Sequence, residues 1–192
     1  MKFYNHPEMM VRNAVRVIAL TIFKLNEEAV NLALGDLPFS SYFAHLACHL
    51  RDKVLDLDQS YQGRNGLDLV TAAAEELQDL LEYLQEVFDC DNQLVGDLLT
   101  NALLFYCYFP VVLGSLAAET KPIISISTAQ FVLMRSFAIF RYQPLVNSIV
   151  GALLLDRVPA CFLTAIDKYP DRDPATYTFR WRLKQQAQVS LR

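Results

Sequence analysis

The sequence predicts an all-α protein built from stacked helical hairpins, a solenoid of the HEAT or armadillo kind. Apolar residues recur every three or four positions through each long segment, as they do along the buried face of a helix. No segment alternates with period two for long enough to found a sheet; the nearest, Ile124-Ser125-Ile126-Ser127, is too short. Six or seven predicted helices joined by short turns indicate a right-handed stack of hairpins.

The first predicted helix begins at Asn5-His6-Pro7-Glu8, which combines a capping residue, a first-turn proline and an acid facing the helix dipole. We expect its buried face to carry the apolar residues that recur at helical spacing: Val11, Ala14, Val15, Ile18, Ile22 and Leu25. Arg12 and Arg16 fall outside that stripe. A second, short helix is predicted from Glu27 to Leu34, and it stops at Gly35.

Pro38 opens the third predicted helix, whose buried positions are Phe39, Tyr42, Phe43, Leu46, Leu50 and Val54. A turn at Gln62–Gly66 separates it from the fourth, Leu67 to Phe88, which is the clearest amphipathic helix of the chain. Its apolar face consists of Leu77, Leu80, Leu81, Leu84, Val87 and Phe88. Its opposite face carries four acids: Glu75, Asp79, Glu82 and Glu86.

Three further helices are predicted, from Asn92 to about Ala118, from Ser125 to Arg141 and from Pro144 to Leu155. We expect a shared core that includes Leu80, Leu84, Phe105, Phe109, Phe131 and Phe137. Residues 1–158 form the predicted helical domain. Residues 159–192 are polar and punctuated by prolines, so we expect a flexible or loosely docked tail.

Composition narrows the function classes. Apolar residues make up 53% and charged residues 20% of the chain, which leaves little polar surface and favours apolar contact with a partner or with further chain. From Asn65 to Thr120 there are ten acids and no Lys or Arg. This split charge argues against nucleic acid as a partner. Four scattered cysteines without a CxxC pair indicate a reduced, cytoplasmic setting.

Residues 98–118 contain no charged side chain and are long enough to cross a bilayer. Acids flank both ends, so no positive-inside signal sets an orientation, and Asn101 and Pro110 interrupt the stretch. We expect a helix buried among its neighbours. A membrane-inserted protein that uses 98–118 as a span is the alternative.

A second alternative is a metal-binding enzyme on His45 and His49, which lie one helical turn apart with Cys48 between them. No further His/Cys pair accompanies them, and no histidine follows the acids of the fourth helix as a di-iron site requires. The chain also lacks a GxSxG elbow, a P-loop, a GxGxxG turn and an HExxH pair. We therefore expect no catalytic activity, no cofactor and no small-molecule substrate.

Three short segments carry a resemblance to a known family. The opening run Phe3-Tyr4-Asn5-His6-Pro7-Glu8 is followed by Met10-Val11-Arg12 and Ala14-Val15-Arg16, and this unit resembles the signature of the FPL domain in the endosomal-maturation (Ema) family. Tyr108-Phe109-Pro110-Val111-Val112 and Pro144-Leu145-Val146-Asn147-Ser148 resemble later family segments in order and spacing. The likeness covers residues 1–155. Family members are longer at both ends, so we expect a fragment or a reduced relative.

The resemblance implies a non-catalytic protein-interaction scaffold in endosome-to-lysosome trafficking, autophagy and mitophagy. It implies a cytoplasmic protein, peripheral to endosomal, autophagic and lysosomal membranes. The implied partners belong to the endosomal and autophagic machinery, including ubiquitin-ligase and tethering complexes. One mammalian member carries a C-type-lectin name, yet nothing in the resemblance implies sugar binding.

Candidate partner-binding residues lie on the first and fourth helices. Arg12 and Arg16, one turn apart, either dock an acidic partner or anionic lipid headgroups together with Lys24, or pair with acids inside the fold. Glu8 and the fourth helix supply such acids. The stripe of Glu75, Asp79, Glu82 and Glu86 is either a solvated face or an acidic docking surface.

Overall fold

The computed structural model describes residues 6, 8–36, 39, 41–63, 66–116 and 122–154. These residues form seven helices and contain no strand, so the prediction of an all-α helical fold is confirmed. In chain order the helices are α1 (Met9–Leu25), α2 (Glu28–Gly35), α3 (Ser41–Gln62), α4 (Leu67–Phe88), α5 (Gln93–Leu116), α6 (Ile126–Ile139) and α7 (Gln143–Leu154).

The helix boundaries follow the predicted ones closely. Helix α4 begins and ends where the pattern placed it, and the others differ by one to three residues where both ends are described. Several predictions concern positions outside the described residues: Asn5 and Pro7 at the first helix start, Pro38, the centre of the turn at 64–65, the end of α5 at 117–118, and the domain boundary with its tail, 159–192.

Helix α5 changes its winding along its length. Gln93–Leu103 is α-helical, Leu104–Leu113 is π-helical, and Gly114–Leu116 returns to the α form. The wider stretch contains Pro110, which has no N–H to donate and whose ring clashes with the carbonyl one α-turn earlier. The π winding relieves that clash, and the amide of Gly114 donates to the carbonyl of Phe109, five residues back.

Helix α5 forms the centre of the core. Helix α3 packs against both its α-helical and π-helical parts, α6 and α7 cover the π-helical part, and α2 and α4 contact its start. In the part of the chain that the structure describes, α5 is the one helix long and apolar enough to cross a membrane, and 83% of its most apolar window is buried inside the protein. This burial supports the core helix over the membrane span.

Buried polar groups join the helices around α5. The hydroxyls of Tyr108 in α5 and Ser136 in α6 lie 2.6 Å apart. The buried carboxylate of Asp58 in α3 accepts a hydrogen bond of 2.9 Å from the amide of Ser125, the residue that caps α6. Each hydrogen bond pairs buried polar groups that would otherwise destabilise the folded state, and it fixes the position of α6 against its neighbours.

Four of the six predicted core residues are buried: Leu80, Leu84, Phe105 and Phe109. Phe131 is half-buried. The prediction for Phe137 is wrong, because its side chain is 40% exposed. Helix α6 turns Val132, Leu133 and Ser136 toward the core, and Phe137 lies next to that face rather than on it.

The predicted buried face of α1 is wrong for Ala14, Ile18 and Leu25, whereas Val11, Val15 and Ile22 are half-buried. Ala19 and Phe23 are the buried residues of α1, and the half-buried Arg12 and Arg16 lie on the same side. Met10, Ala14, Val17, Ile18, Thr21 and Leu25 are exposed. Apolar residues occur all around α1, so its orientation follows from α4, whose acids attract the arginine side. In the third predicted helix, Phe39 is likewise exposed, while the other five predicted positions are buried.

Substitution of a core leucine tests this packing. Leu84→Ala removes a fully buried side chain of α4, and we expect the free energy of unfolding to fall by about 2–5 kcal/mol. Leu69→Ala makes the same chemical change at an exposed position of the same helix, and we expect a change of less than about 0.5 kcal/mol. Urea unfolding followed by circular dichroism measures both. Equal effects would contradict the described core.

Candidate functional site

A charged groove lies where α1, α3 and α4 meet. Its volume is about 590 Å³, and its wall combines three cations, three acids and two histidines. Helix α1 supplies Arg12 and Arg16, α3 supplies His49 and Lys53, and α4 supplies Glu75, Glu76 and Asp79, with His6 at one end. Four of the seven candidate residues thus come together here: Arg12, Arg16, Glu75 and Asp79.

Arg16 forms the link between α1 and α4. Its two terminal nitrogens donate to the two carboxylate oxygens of Asp79, at 3.2 and 2.8 Å. The guanidinium also lies over the ring of Tyr83, 4.8 Å from its centroid, and the Arg16 side chain is only 14% exposed. The planar guanidinium of arginine can form two hydrogen bonds to one carboxylate while it stacks on an aromatic ring, and a lysine ammonium cannot do both. Of the two expectations for Arg16, the structure therefore shows the intramolecular pair.

Tyr83 is itself held from beneath. Its hydroxyl lies 2.8 Å from the hydroxyl of Tyr42 in α3, and both side chains are buried. Burial raises the pKa of Tyr83, because a phenolate would be poorly solvated there. The platform under Arg16 consequently stays neutral and rigid.

Lys53 makes the second ion pair of the groove. Its ammonium nitrogen lies 2.6 Å from a carboxylate oxygen of Glu76 in α4 and 3.9 Å from one of Asp56 on its own helix. Neither Lys53 nor Glu76 is among the residues predicted from the sequence. Lys53 and Asp56 are three residues apart, a spacing that predicts an ion pair within one helix. The contact of Lys53 with Glu76, in contrast, depends on how α3 packs against α4.

Two further groups line the groove. Arg12 donates to the backbone carbonyl of His6 at 2.9 Å. The pKa of His49 is lowered, first by burial and then by the positive charge of Lys53. The neutral imidazole is therefore the favoured form beside these cations.

The outward side of α4 carries the remaining candidate acids. Glu75, Glu82 and Glu86 are exposed on one face of the helix, and we call these three residues the acidic ridge. The amide of Gln78 donates to Glu82 at 2.7 Å. Asp79 lies on the same face but is neutralised by Arg16. Lys24 lies exposed at the other end of α1.

The geometry around the histidines offers little for metal chemistry. His45 Nδ1 lies 2.6 Å from the carbonyl oxygen of Ser41, and His49 faces the groove. Among the described residues no group of three metal-ligating side chains occurs. Burial raises the pKa of the Cys90 and Cys107 thiols, which keeps them protonated and poorly nucleophilic.

Comparison with known proteins finds relatives in animals and a plant. The chain is 34% identical to Protein CLEC16A of Homo sapiens over 163 residues, which cover 80% of this chain and 15% of that protein. It is 31% identical to the Protein CLEC16A homolog of Drosophila melanogaster over 167 residues, 82% of this chain and 16% of that protein.

A third relative is the Protein TRANSPARENT TESTA 9 of Arabidopsis thaliana. It is 27% identical over 161 residues, which cover 79% of this chain and 19% of that protein. The chain thus spans less than a fifth of the length of the curated relatives it matches. No family model and no solved structure match the chain.

A double-mutant cycle on Arg16→Ala and Asp79→Ala measures the link between α1 and α4. We expect a coupling of about 0.5–1 kcal/mol in urea unfolding at low salt, because Asp79 is more than half exposed and partly screened. Arg16→Lys keeps the charge but loses the bidentate geometry, so it should recover less than half of the coupling. Additive single effects would show that the pair does not tie the helices.

The lowered pKa of His49 makes stability depend on pH. In the unfolded chain His49 takes up a proton near pH 6.5, whereas in the folded chain its pKa is lower. The unfolded state is therefore favoured by protonation, and the free energy of unfolding falls as the pH drops from about 7 toward the folded pKa. We expect His49→Gln to flatten this decline in thermal melts between about pH 7.5 and 5.5. Lys53→Met removes the second cause of the shift and should flatten it partly. A decline that is unchanged in His49→Gln would assign it to another group.

Proposed function

Since the chain belongs to the Ema/CLEC16A-like family, we propose that it is a non-catalytic scaffold that joins proteins at endosomal, autophagic and lysosomal membranes. In this role it serves endosome-to-lysosome trafficking, autophagy and mitophagy from the cytoplasmic side. Its partners are proteins of that machinery, ubiquitin-ligase and tethering complexes among them.

The observation that best supports the scaffold role is the exposed negative charge of the acidic ridge. Three exposed carboxylates lie along one face of α4, and residues 66–116 contain no Lys or Arg. Of the three, Glu75 alone also lines the charged groove with its cations. Such a field speeds the approach of a basic surface and rejects an acidic one. The preferred partner is therefore a protein with a basic patch.

The negative charge of the acidic ridge also disfavours direct binding to an anionic membrane. Anionic headgroups are repelled by the ridge, and Arg16, the best-placed cation of α1, is already paired with Asp79. Arg12 and Lys24 alone provide little attraction, since stable anchoring usually needs a larger basic cluster. Contact with the membrane accordingly goes through the protein partner rather than through lipid.

Charge reversal on the ridge tests the proposal in cells. The triple variant Glu75→Lys, Glu82→Lys, Glu86→Lys should keep the wild-type melting temperature, because all three side chains are exposed. A control variant, Glu27→Lys, Glu28→Lys, Asp36→Lys, makes the same change of net charge at exposed positions around α2. Each is expressed as a proximity-labelling fusion, and labelled proteins are identified by mass spectrometry.

We expect the wild type and the control to label proteins of late endosomes, lysosomes and autophagosomes, and the ridge variant to lose most of that labelling. Equal labelling by the ridge variant would remove the ridge from the docking surface. Absence of endosomal and autophagic proteins from the wild-type sample would overturn the trafficking role itself.

A further inference from the structure

The outer face of α1 is apolar although it points away from the core. Met10, Val17, Ile18 and Leu25 are 77, 62, 57 and 53% exposed, and the small residues Ala14 and Thr21 lie between them. We call these six residues the outer face. A surface helix normally turns its polar side outward, whereas α1 turns its arginines inward to the groove. An apolar stripe that runs the length of a helix marks an interaction surface.

Covering the outer face would leave no polar side chain without a hydrogen-bond partner. None of its residues is charged, and its one polar side chain, Thr21, already donates its hydroxyl to the carbonyl of Val17 at 2.8 Å. An interface pays a penalty for each buried donor or acceptor that loses water without gaining a partner. Here that penalty is absent, so the outer face can pack directly against another apolar surface.

The spacing along the outer face is symmetric. Met10 and Leu25 lie equally far from the midpoint between Val17 and Ile18, and so do Ala14 and Thr21. The pattern reads large, small, large, large, small, large in both directions. A surface with this property meets itself in matching register when two copies are related by a two-fold axis through the midpoint. Large side chains of one helix then lie over their large counterparts at the ends and centre, with close approach at the small residues.

We propose that the outer face binds the outer face of a second copy of this chain. The two α1 helices pack antiparallel, with Met10 of one copy beside Leu25 of the other and the two-fold axis passing between Val17 and Ile18. This dimer is independent of the scaffold role and uses the side of α1 that faces away from the groove and from α4.

The flanking charges fit the antiparallel orientation. Lys24 and Asn13 lie exposed on the same flank of α1, near opposite ends. In the antiparallel pair the ammonium of Lys24 approaches the side-chain amide of Asn13 in the other copy, to which it can donate. A parallel pair would instead put the Lys24 and Asn13 flanks of the two copies on opposite sides of the interface, so this contact could not form.

The size of the outer face indicates a weak dimer. From the exposed fractions, the six residues offer at most about 500 Å² per copy, so the pair buries at most about 1,000 Å², the minimum for a specific interface. We expect a dissociation constant in the micromolar range, with dimer growing from about 1 to 300 µM protein.

Analytical ultracentrifugation across that range tests the dimer. Ile18→Glu places two carboxylates against each other at the axis and should shift the dissociation constant upward at least tenfold. Leu69→Glu, at an exposed leucine of α4, is the matched control and should leave it unchanged. Melting curves check that both variants fold. A wild type that stays monomeric at 300 µM, or an equal effect of both substitutions, overturns the proposal.

Cysteine cross-linking tests the register without relying on a destabilised variant. Val17→Cys lies at the axis and should form disulfide-linked dimers under mild oxidation. Met10→Cys alone should not, since its two thiols lie roughly 22 Å apart along the helices, but a mixture of Met10→Cys with Leu25→Cys should cross-link. The wild type under the same oxidation controls for native thiols. Cross-links from Met10→Cys alone, or a Val17→Cys thiol that reacts with a maleimide but does not cross-link, would overturn the proposed register.

Discussion

Residues 98–116 of the 24-residue helix α5 carry no charge and have to be covered on nearly every side, and this requirement organises the described structure. Helix α3 lies against both parts of α5 and also against α4, so it transmits the packing of the centre to the charged groove. Helices α6 and α7 cover the π-helical part, where Pro110 widens the winding. Because α5 brings hydroxyls such as that of Tyr108 into the core, its neighbours must present matching polar groups, and Ser136 does so.

The sequence predicts helices well where one face alone is apolar. In α4 the acids and the leucines separate cleanly, so its ends and its buried face both follow from periodicity. Helix α1 has apolar residues on both sides, and periodicity cannot choose between them. The choice is tertiary: Arg16 fits between Asp79 and Tyr83, and its aliphatic stem packs where an apolar residue was expected. Phe137 fails for a similar reason, since the docking of Ser136 onto Tyr108 sets the rotation of α6.

Only some of the residues that line the groove could be predicted from the sequence. The arginines of α1 and the acids of α4 stand out in the sequence by charge and spacing. Lys53 does not, and His49 stands out only as a metal candidate with His45, because both belong to α3 and reach the groove only through the packing of α3 against α4. The lowered pKa of His49 follows from the same packing, which buries the ring and brings Lys53 near it. Local pattern identifies the charged participants, and tertiary contact decides which of them meet.

Helix α1 is attached through a mixed face, on which Ala19 and Phe23 are buried in the core and Arg16 lies beside them. The Arg16–Asp79 pair adds direction to this apolar contact, because its bidentate geometry fixes how α1 lies on α4. Detachment of α1 would free Asp79 and add a fourth charge to the acidic ridge. The outer face takes no part in this attachment, so a second copy bound there leaves the Arg16–Asp79 pair intact.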